Sequence, residues 1–432
     1  MLRSAMNLFA RLFYKYRRFA KALRLYLIMA GPGIIVMVAD NDAGGITTYS
    51  VTGARYHYDL IWFLILLGPV AYFVQEMTVR LGAVTKRGHA EAIFDAFGAF
   101  WGWFSLLDLT LLNWLTLITE FIGMTAALSI FGVSPYLTVA IVSIVMVVMV
   151  LQGRYWTWEK LAILFCSLNL VYIPAAFLVH PSVGNVIARG VIPNFPGGFS
   201  GELVFILMAN IGTTIAPWMI FFQQSAVVDK GMREKDIVLG KFDTMLGAVF
   251  TVVVAIFVII VTGTVLYHPG NPNATIGSAA EAAKQLMGFD KYVGTFLAIG
   301  LFDAGFLGAI CISLASSWAF GEVFGWAHSL NNRIREAPWF YVSYAFILLT
   351  AGIVVLIPKA PLVLITLFVQ VIAVTLLPAA LVFLILLLNN EDLMGKYKNT
   401  QLQNVVSYSI VAAIIVLSTT YSITVLFPGL LK

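Results

Sequence analysis

Apolar residues recur in eleven long stretches along this 432-residue chain, and short polar segments separate them. A helix that crosses a bilayer needs roughly 20 consecutive, mainly apolar residues. The pattern therefore predicts an all-α polytopic membrane protein with eleven transmembrane helices. We number the spans 1 to 11 in chain order: 26–54, 59–83, 101–130, 135–151, 158–180, 202–228, 242–267, 292–324, 338–357, 361–389 and 405–428.

The composition excludes a water-soluble fold. Hydrophobic residues make up 60% of the chain and charged residues only 11%, whereas a soluble domain carries about a quarter charged residues. The two cysteines, Cys166 and Cys311, both lie in apolar spans, so neither a disulfide framework nor a four-ligand zinc site is available. We expect no cofactor, no nucleic-acid partner and a monomer embedded in the bilayer.

Lys and Arg residues sort to one side of the predicted membrane. Counting loops alternately from a cytoplasmic N-terminus places 20 of the 26 basic residues on the cytoplasmic side. Cytoplasmic loops carry the excess of Lys and Arg, so we expect a cytoplasmic N-terminus and, after eleven spans, an external C-terminus. Residues 1–25 mix basic and apolar residues, which is typical of a helix on an anionic membrane surface or of a transit peptide. We favour the surface helix.

Span 1 contains the segment D-N-D-A-G-G at 40–45, in the middle of the bilayer. An Asp at the centre of a spanning helix costs about 3 kcal/mol, and each Gly lowers helix stability by roughly 1 kcal/mol. We therefore predict that 40–45 is unwound between two half-helices. Freed backbone carbonyls are tolerated there only if they line a cavity or bind an ion.

Span 6 contains G-T-T-I-A-P at 212–217, also near its middle. Pro217 removes an amide donor and breaks the helix. Interrupted helices in matching positions of two five-span halves indicate the central site of a transporter. The alternative for Pro217 alone is a proline kink without a ligand, and the acidic segment five spans earlier makes that less favourable.

The residue types at these interruptions suit a hard cation. Asp42 offers a carboxylate, and carbonyls near Ala43 and Thr213 offer neutral oxygens, which are ligands for Mg²⁺, Ca²⁺, Mn²⁺ or Na⁺. Asp40 is either a second ligand, a charge at the cavity mouth, or the N-cap of the second half-helix. Asn41, between the two acids, is expected to line the same cavity.

The run G-P-G-I-I-V-M-V-A-D-N-D-A-G-G-I-T-T-Y-S-V-T-G-A-R at 31–55 resembles the first helix of the natural resistance-associated macrophage protein (Nramp) family of divalent-metal transporters. The hallmarks of that family are D-P-G-N in the first helix and M-P-H in the sixth. The alignment places the family's Asp, Pro, Gly and Asn on Asp42, Ala43, Gly44 and Gly45.

The sixth helix aligns through P-W-M at 217–219, so the family's Met falls on Ala216 and its His on Trp218. The residue that lends a backbone carbonyl to the metal falls on Thr213, and T-E-F-I-G at 119–123 places the family's conserved Glu on Glu120. The resemblance implies metal-site positions Asp42, Gly45, Thr213 and Ala216. It also implies a LeuT-like 5+5 inverted repeat with helices 1 and 6 discontinuous: first repeat 26–180, second repeat 202–389, and helix 11 at 405–428.

Two departures from the family pattern bear on the cation. The thioether is missing at Ala216 and the amide at Gly45, which leaves oxygen ligands and a larger cavity. Mg²⁺ keeps several waters when it binds, and the pattern resembles the Nramp-related magnesium transporters, a prokaryotic branch. We therefore expect transport of Mg²⁺, with Mn²⁺ also possible, across the plasma (inner) membrane of a prokaryote.

Other positions bear on proton coupling and on the ion route. Titratable groups of the family in helices 3 and 6 are replaced by Leu117, Trp218 and Gln223, so we predict uptake uncoupled from protons. Glu120 either lines the ion route or pairs structurally with a neighbouring helix. Gln370 in span 10 either binds a coordinated water or joins helices. For two further acids in spans 3 and 8 we expect helix–helix hydrogen bonds: Asp108 and Asp303.

Four other functions remain as alternatives. A proton-coupled Mn²⁺ or Fe²⁺ transporter fits the family, and a Na⁺-coupled symporter of a small organic solute fits the architecture. An amino-acid carboxylate, however, binds helix N-termini away from negative charge, which Asp42 contradicts. An intramembrane enzyme is disfavoured because neither H-E-x-x-H nor G-x-S-x-G occurs. An open channel is disfavoured because channels usually surround an axis with several subunits.

Overall fold

The structure, a computed structural model, describes residues 31–195, 198, 200–268, 277–357 and 362–426. Over these residues the secondary structure is helical. The predicted basic segment 1–25 and the start of span 1 lie outside the described residues. The helices are α1 (Pro32–Ala39), α2 (Ala43–Tyr56), α3 (Ile61–Thr85), α4 (His89–Phe97), α5 (Ala99–Ser129), α6 (Pro135–Val150), α7 (Tyr155–Leu168), α8 (Tyr172–Leu178), α9 (Val183–Gly190), α10 (Gly201–Thr214), α11 (Pro217–Asp229), α12 (Ile237–Leu266), α13 (Ala279–Phe289), α14 (Lys291–Phe324), α15 (Pro338–Val355), α16 (Leu362–Asn389), α17 (Glu391–Met394) and α18 (Gln401–Leu426).

The predicted spans coincide with the apolar helical segments of the structure. Within the described part of the chain, nine such segments are long and apolar enough to cross a membrane, judged by length and composition, when α7 with α8 and α10 with α11 are each counted as one segment. Span 1 is divided between α1 and α2, and α6 has only 16 residues. The all-helical membrane architecture is confirmed, and the count of eleven spans stays a prediction.

Span 1 breaks because two carboxylates start a new helix at Ala43. The Asp42 side chain is the N-cap of α2, and its Oδ1 accepts a hydrogen bond from the Gly45 amide at 2.6 Å. Glu120 Oε2 accepts a second one from the Ala43 amide at 2.9 Å. Both satisfy amides that have no partner within the helix. The predicted unwound segment 40–45 was therefore too long, since Gly44 and Gly45 are helical and only 40–42 are not.

Span 6 breaks at Pro217, as predicted. α10 ends at Thr214 and α11 begins at Pro217, where proline suits the first helical position. An α-helix would pair the amide of residue 217 with the carbonyl of Thr213. Proline has no such amide, so the Thr213 carbonyl loses its helical partner.

Long helices enclose both breaks. α12 packs along α1 and α2, α14 packs along α5, and α16 packs along α10. A Cβ placed on Gly53 of α2 would lie only 2.2 Å from Thr262 Oγ1 of α12, so glycine is needed for this close approach. Large apolar side chains such as Phe100 and Phe346 are 73% and 68% exposed on outer helices, as expected for a surface that faces lipid.

Candidate ion-binding site

Three oxygen atoms from the two interrupted helices lie around the position that a side chain on Gly45 would occupy. A Cβ at this residue would lie 2.5 Å from Thr213 Oγ1, 3.2 Å from the Asp40 carbonyl oxygen and 3.4 Å from Asp42 Oδ1. These oxygens therefore lie close to one point, and only the missing side chain leaves that point open. We call this set the oxygen cradle. It brings together four of the positions that sequence analysis selected: Asp40, Asp42, Gly45 and Thr213.

Thr213 is the contribution of span 6 to the cradle. Its side chain is 1% exposed, and its Oγ1 has no hydrogen-bond partner in the described residues. The next residue, Thr214, is tied to α2 by a hydrogen bond of 3.3 Å with the Tyr49 hydroxyl. This contact fixes the end of α10 beside the start of α2, with the free Thr213 carbonyl at the same end.

The carbonyls that become free in span 1 lie on the N-terminal side of Ala43. Ala43 itself lies in the first turn of α2, so its own carbonyl belongs to the helix. Among the described residues, no hydrogen bond reaches the carbonyls of Ala39, Asp40 and Asn41. The free backbone oxygens of this break therefore precede Asp42.

Asp40 and Asn41 have different surroundings. Asp40 ends α1, and its side chain is 1% exposed with Oδ2 unpartnered in the described residues. The alternative that Asp40 is the N-cap of the second half-helix was wrong, because Asp42 holds that position. Asn41 Nδ2 donates to the Thr251 carbonyl of α12 at 3.3 Å, so its amide anchors the break to its neighbour.

Glu120 is fully buried and lies against the start of α2. Besides the Ala43 amide, its carboxylate faces α14, where a Cβ at Gly308 would lie 3.0 Å from Glu120 Oε2 and 3.1 Å from Asp42 Cβ. A Cβ at Gly305 would lie 2.8 Å from the Glu120 carbonyl. Sequence reasoning missed these two glycines, although D-A-G-F-L-G at 303–308 places both on one helix face.

Gln370 of α16 reaches the same break. A Cβ at Gly44 would lie 1.9 Å from Gln370 Nε2, which has no hydrogen-bond partner in the described part of the chain. The backbone of Gln370 also packs on α10, because a Cβ at Gly212 would lie 2.0 Å from its carbonyl oxygen. The predicted position of Gln370 beside the interrupted helices is therefore present, with its amide directed at α2.

The remaining predicted positions lie along α11. Ala216 is the N-cap residue, and its amide donates to Met219 Sδ at 3.4 Å. Sequence reasoning missed this thioether. The side chain three residues after the N-cap residue can accept the amide of the N-cap residue, and Met219 holds that position relative to Ala216. Trp218 is fully buried and packs edge-on against Phe222. Gln223 accepts from Thr78 and donates to Thr244 at 3.0 and 2.8 Å, away from the cradle.

The electrostatics of the site favour a cation. Asp40, Asp42 and Glu120 are each no more than 3% exposed, and none of them forms an ion pair with a described Lys or Arg residue. Unpaired acidic groups within a membrane are costly and mark ion pathways. No group of three His, Cys, Asp or Glu side chains converges in the described residues.

Comparisons with known proteins agree with this architecture. The family described as natural resistance-associated macrophage protein-like matches residues 33–424. The divalent metal cation transporter MntH of Caldanaerobacter subterraneus is 22% identical over 409 residues, which cover 92% of this chain and 93% of that protein.

Two solved structures show the same fold. The Eremococcus coleocola manganese transporter, in complex with an aromatic bis-isothiourea compound, has a TM-score of 0.74 and 19% identity and covers 93% of this chain and 87% of its own. MhsT in complex with L-phenylalanine has a TM-score of 0.61 and 14% identity, with 91% and 98% covered. The fold implied by the family resemblance is confirmed, and the chain belongs to the Nramp family.

Proposed function

We propose that this chain carries divalent metal cations across the membrane by alternating access, and Mg²⁺ in preference to Mn²⁺. The oxygen cradle around Gly45 is the observation that carries the proposal. Carboxylate, hydroxyl and carbonyl oxygens are the ligands of hard divalent cations. A site between two interrupted helices is also the arrangement that secondary transporters use to expose an ion to each side in turn.

The preference for Mg²⁺ rests on the residues that surround the cradle. Mg²⁺ loses its waters reluctantly and usually binds through one or two carboxylates with several waters retained. Gly45 contributes no side chain and Ala216 only a methyl group, so neither replaces a water ligand. Asp42 provides a negative charge. The other two cradle oxygens, the backbone carbonyl of Asp40 and the hydroxyl of Thr213, are neutral.

The proposal includes uptake that is uncoupled from protons. An intramembrane proton relay needs titratable side chains. The resemblance places such side chains at three positions that here carry non-titratable residues: Leu117, Trp218 and Gln223. The hydrogen bonds of Gln223 to Thr78 and Thr244 give it a structural partner on each side. With the N-terminus cytoplasmic, a divalent cation gains about 4.6 kcal/mol on inward movement per 100 mV, twice the 2.3 kcal/mol of one charge. The membrane potential alone is therefore sufficient to drive uptake of the cation.

Selectivity and coupling are tested together in proteoliposomes. One set is loaded with a Mg²⁺-sensitive dye, a second with a Mn²⁺-sensitive dye and a third with a pH dye, under an imposed inside-negative potential. We expect Mg²⁺ uptake that rises with the potential and leaves internal pH constant. Uptake of Mn²⁺ with exclusion of Mg²⁺ contradicts the selectivity, and acidification driven by Mg²⁺ contradicts the uncoupled mechanism.

A Mn²⁺ transporter is the second candidate, and Met219 favours it. Thioether sulfur suits softer transition metals, and the Met219 sulfur lies at the start of α11 beside Ala216. If the thioether binds the cation, Met219→Leu weakens Mn²⁺ uptake more than Mg²⁺ uptake. If it only accepts the Ala216 amide, the substitution changes the uptake of the two cations by the same factor.

A further inference from the structure

A buried polar pair, Asn169 and Asp303, lies where span 5 packs on α14. Asn169 opens a short 3-10 turn, Asn169–Val171, between α7 and α8. Pro174 accounts for this interruption, since it has no amide for the carbonyl of Leu170. Asn169 Nδ2 donates to Asp303 Oδ2 at 2.8 Å, so the helix–helix hydrogen bond predicted for Asp303 is present. Asp108, by contrast, is only half-buried and makes no hydrogen bond in the described residues.

The second oxygen of each partner lacks a hydrogen bond. Asp303 Oδ1 and Asn169 Oδ1 are both unpartnered within the described chain, and the two residues are 1% and 0% exposed. Both atoms are acceptors if the carboxyl is ionised. A buried acceptor without a donor is costly, and a buried charge without a partner more so. An ionised Asp303 would therefore leave three unfavourable features in one place.

We propose that Asp303 and Asn169 form a proton-binding site inside the helix bundle, outside the oxygen cradle. Asp303 carries a proton on Oδ1 and donates it to Asn169 Oδ1, while Asn169 Nδ2 donates to Asp303 Oδ2. The two hydrogen bonds close an acid–amide ring. One proton satisfies both unpartnered oxygens and removes the buried charge.

The groups around the pair supply no compensating positive charge. On span 5 the titratable side chains that face Asp303 are Cys166 and Tyr172, three residues before and after Asn169. The carboxylate of Glu120 on α5 approaches α14 at Gly308, five residues from Asp303, and only the backbone carbonyl of Glu120 approaches at Gly305. Among the described residues, no Lys or Arg forms an ion pair with Asp303. A proton is thus the smallest cation that completes the pair.

This site does not depend on which ion the chain carries. Because both residues are buried, the proton is shielded from solvent in this conformation, and a protonated Asp303 adds no charge to the ion route. It joins the interrupted span 5 to α14 through a neutral contact. Asparagine at position 303 reproduces this contact, because its amide donates to Asn169 and accepts from it in the same ring.

Infrared spectroscopy tests the proton directly. The difference spectrum between the intact protein and Asp303→Asn is recorded in lipid at alkaline pH, where exposed carboxyls are ionised. We expect the carbonyl band of a protonated carboxylic acid in the intact protein and its loss in the variant. If the difference spectrum shows no such band and shows instead a carboxylate band that the variant has lost, the proposal is overturned.

Thermal unfolding of two variants tests the ring. Asp303→Asn is expected to keep the melting temperature and the ion uptake of the intact protein, whereas Asp303→Leu lowers the melting temperature because both hydrogen bonds are lost. If Asp303 is instead ionised and binds Na⁺, the melting temperature of Asp303→Asn is lowered as much as that of Asp303→Leu. NaCl, but not choline chloride, then stabilises the intact protein. That result also overturns the proposal.

Discussion

Gly45→Ala fills the oxygen cradle with a single methyl group. The new Cβ would lie 2.5 Å from Thr213 Oγ1 and 3.2 Å from the Asp40 carbonyl, where side-chain contacts are ordinarily 3.4–4 Å. Overpacking costs about 1–3 kcal/mol of folding stability, and replacing a helical glycine by alanine returns about 1 kcal/mol. We therefore expect a folded protein, destabilised by at most about 2 kcal/mol, with an obstructed ion site.

The assay is the stabilisation of the purified protein by Mg²⁺. A ligand at 100 times its Kd stabilises by about 2.7 kcal/mol, and after a tenfold loss of affinity the same concentration stabilises by about 1.4 kcal/mol. We expect at least this reduction in Gly45→Ala. The matched control is Gly53→Ala on the same helix, which meets Thr262 Oγ1 at 2.2 Å and should lose stability but keep the full effect of Mg²⁺. Equal stabilisation of Gly45→Ala and the intact protein refutes the reasoning.

Two further predictions concern contacts that shape the site, and a third concerns His57 at the other end of α2. Glu120→Gln keeps an acceptor for the Ala43 amide and should melt like the intact protein, whereas Glu120→Ala loses about 1–3 kcal/mol; equal melting of both refutes the capping role. Pro217→Ala supplies an amide for the Thr213 carbonyl, so Mg²⁺ affinity should fall without loss of stability, as calorimetry would show. Burial and then the Arg189 charge lower the pKa of His57; in Arg189→Ala this pKa should rise, as NMR titration of labelled histidines would show, and an unchanged pKa contradicts it.

The two breaks can be predicted from the sequence because each depends on residues at the break itself. Pro217 has no amide, and no folded environment changes that. The acids at 40–42 cannot face lipid, so an interruption follows from the energy of the bilayer alone. The extent of the first break could not be predicted, since it depends on Glu120, which is 77 residues from Ala43 and supplies an acceptor to its amide.

The cradle itself depends on approach between distant segments. Gly45 reads as a helix-weakening residue in the sequence, and its role as open space appears only when Thr213, in another span, packs beside it. Gly305 and Gly308 likewise read as ordinary small residues of a spanning helix. Met219 was missed because the alignment directs attention to Ala216, whereas the thioether reaches back by one helical turn.

The central claim is tested most directly by Mg²⁺ flux into dye-loaded liposomes under an imposed potential, comparing the intact protein with Asp42→Asn. Asparagine caps a helix as well as aspartate does, so α2 keeps its start and only the negative charge of the cradle is lost. We predict potential-driven Mg²⁺ uptake in the intact protein and at least a tenfold slower uptake in the variant. Equal uptake by the two proteins would contradict the account, since Asp42 would then not bind the cation.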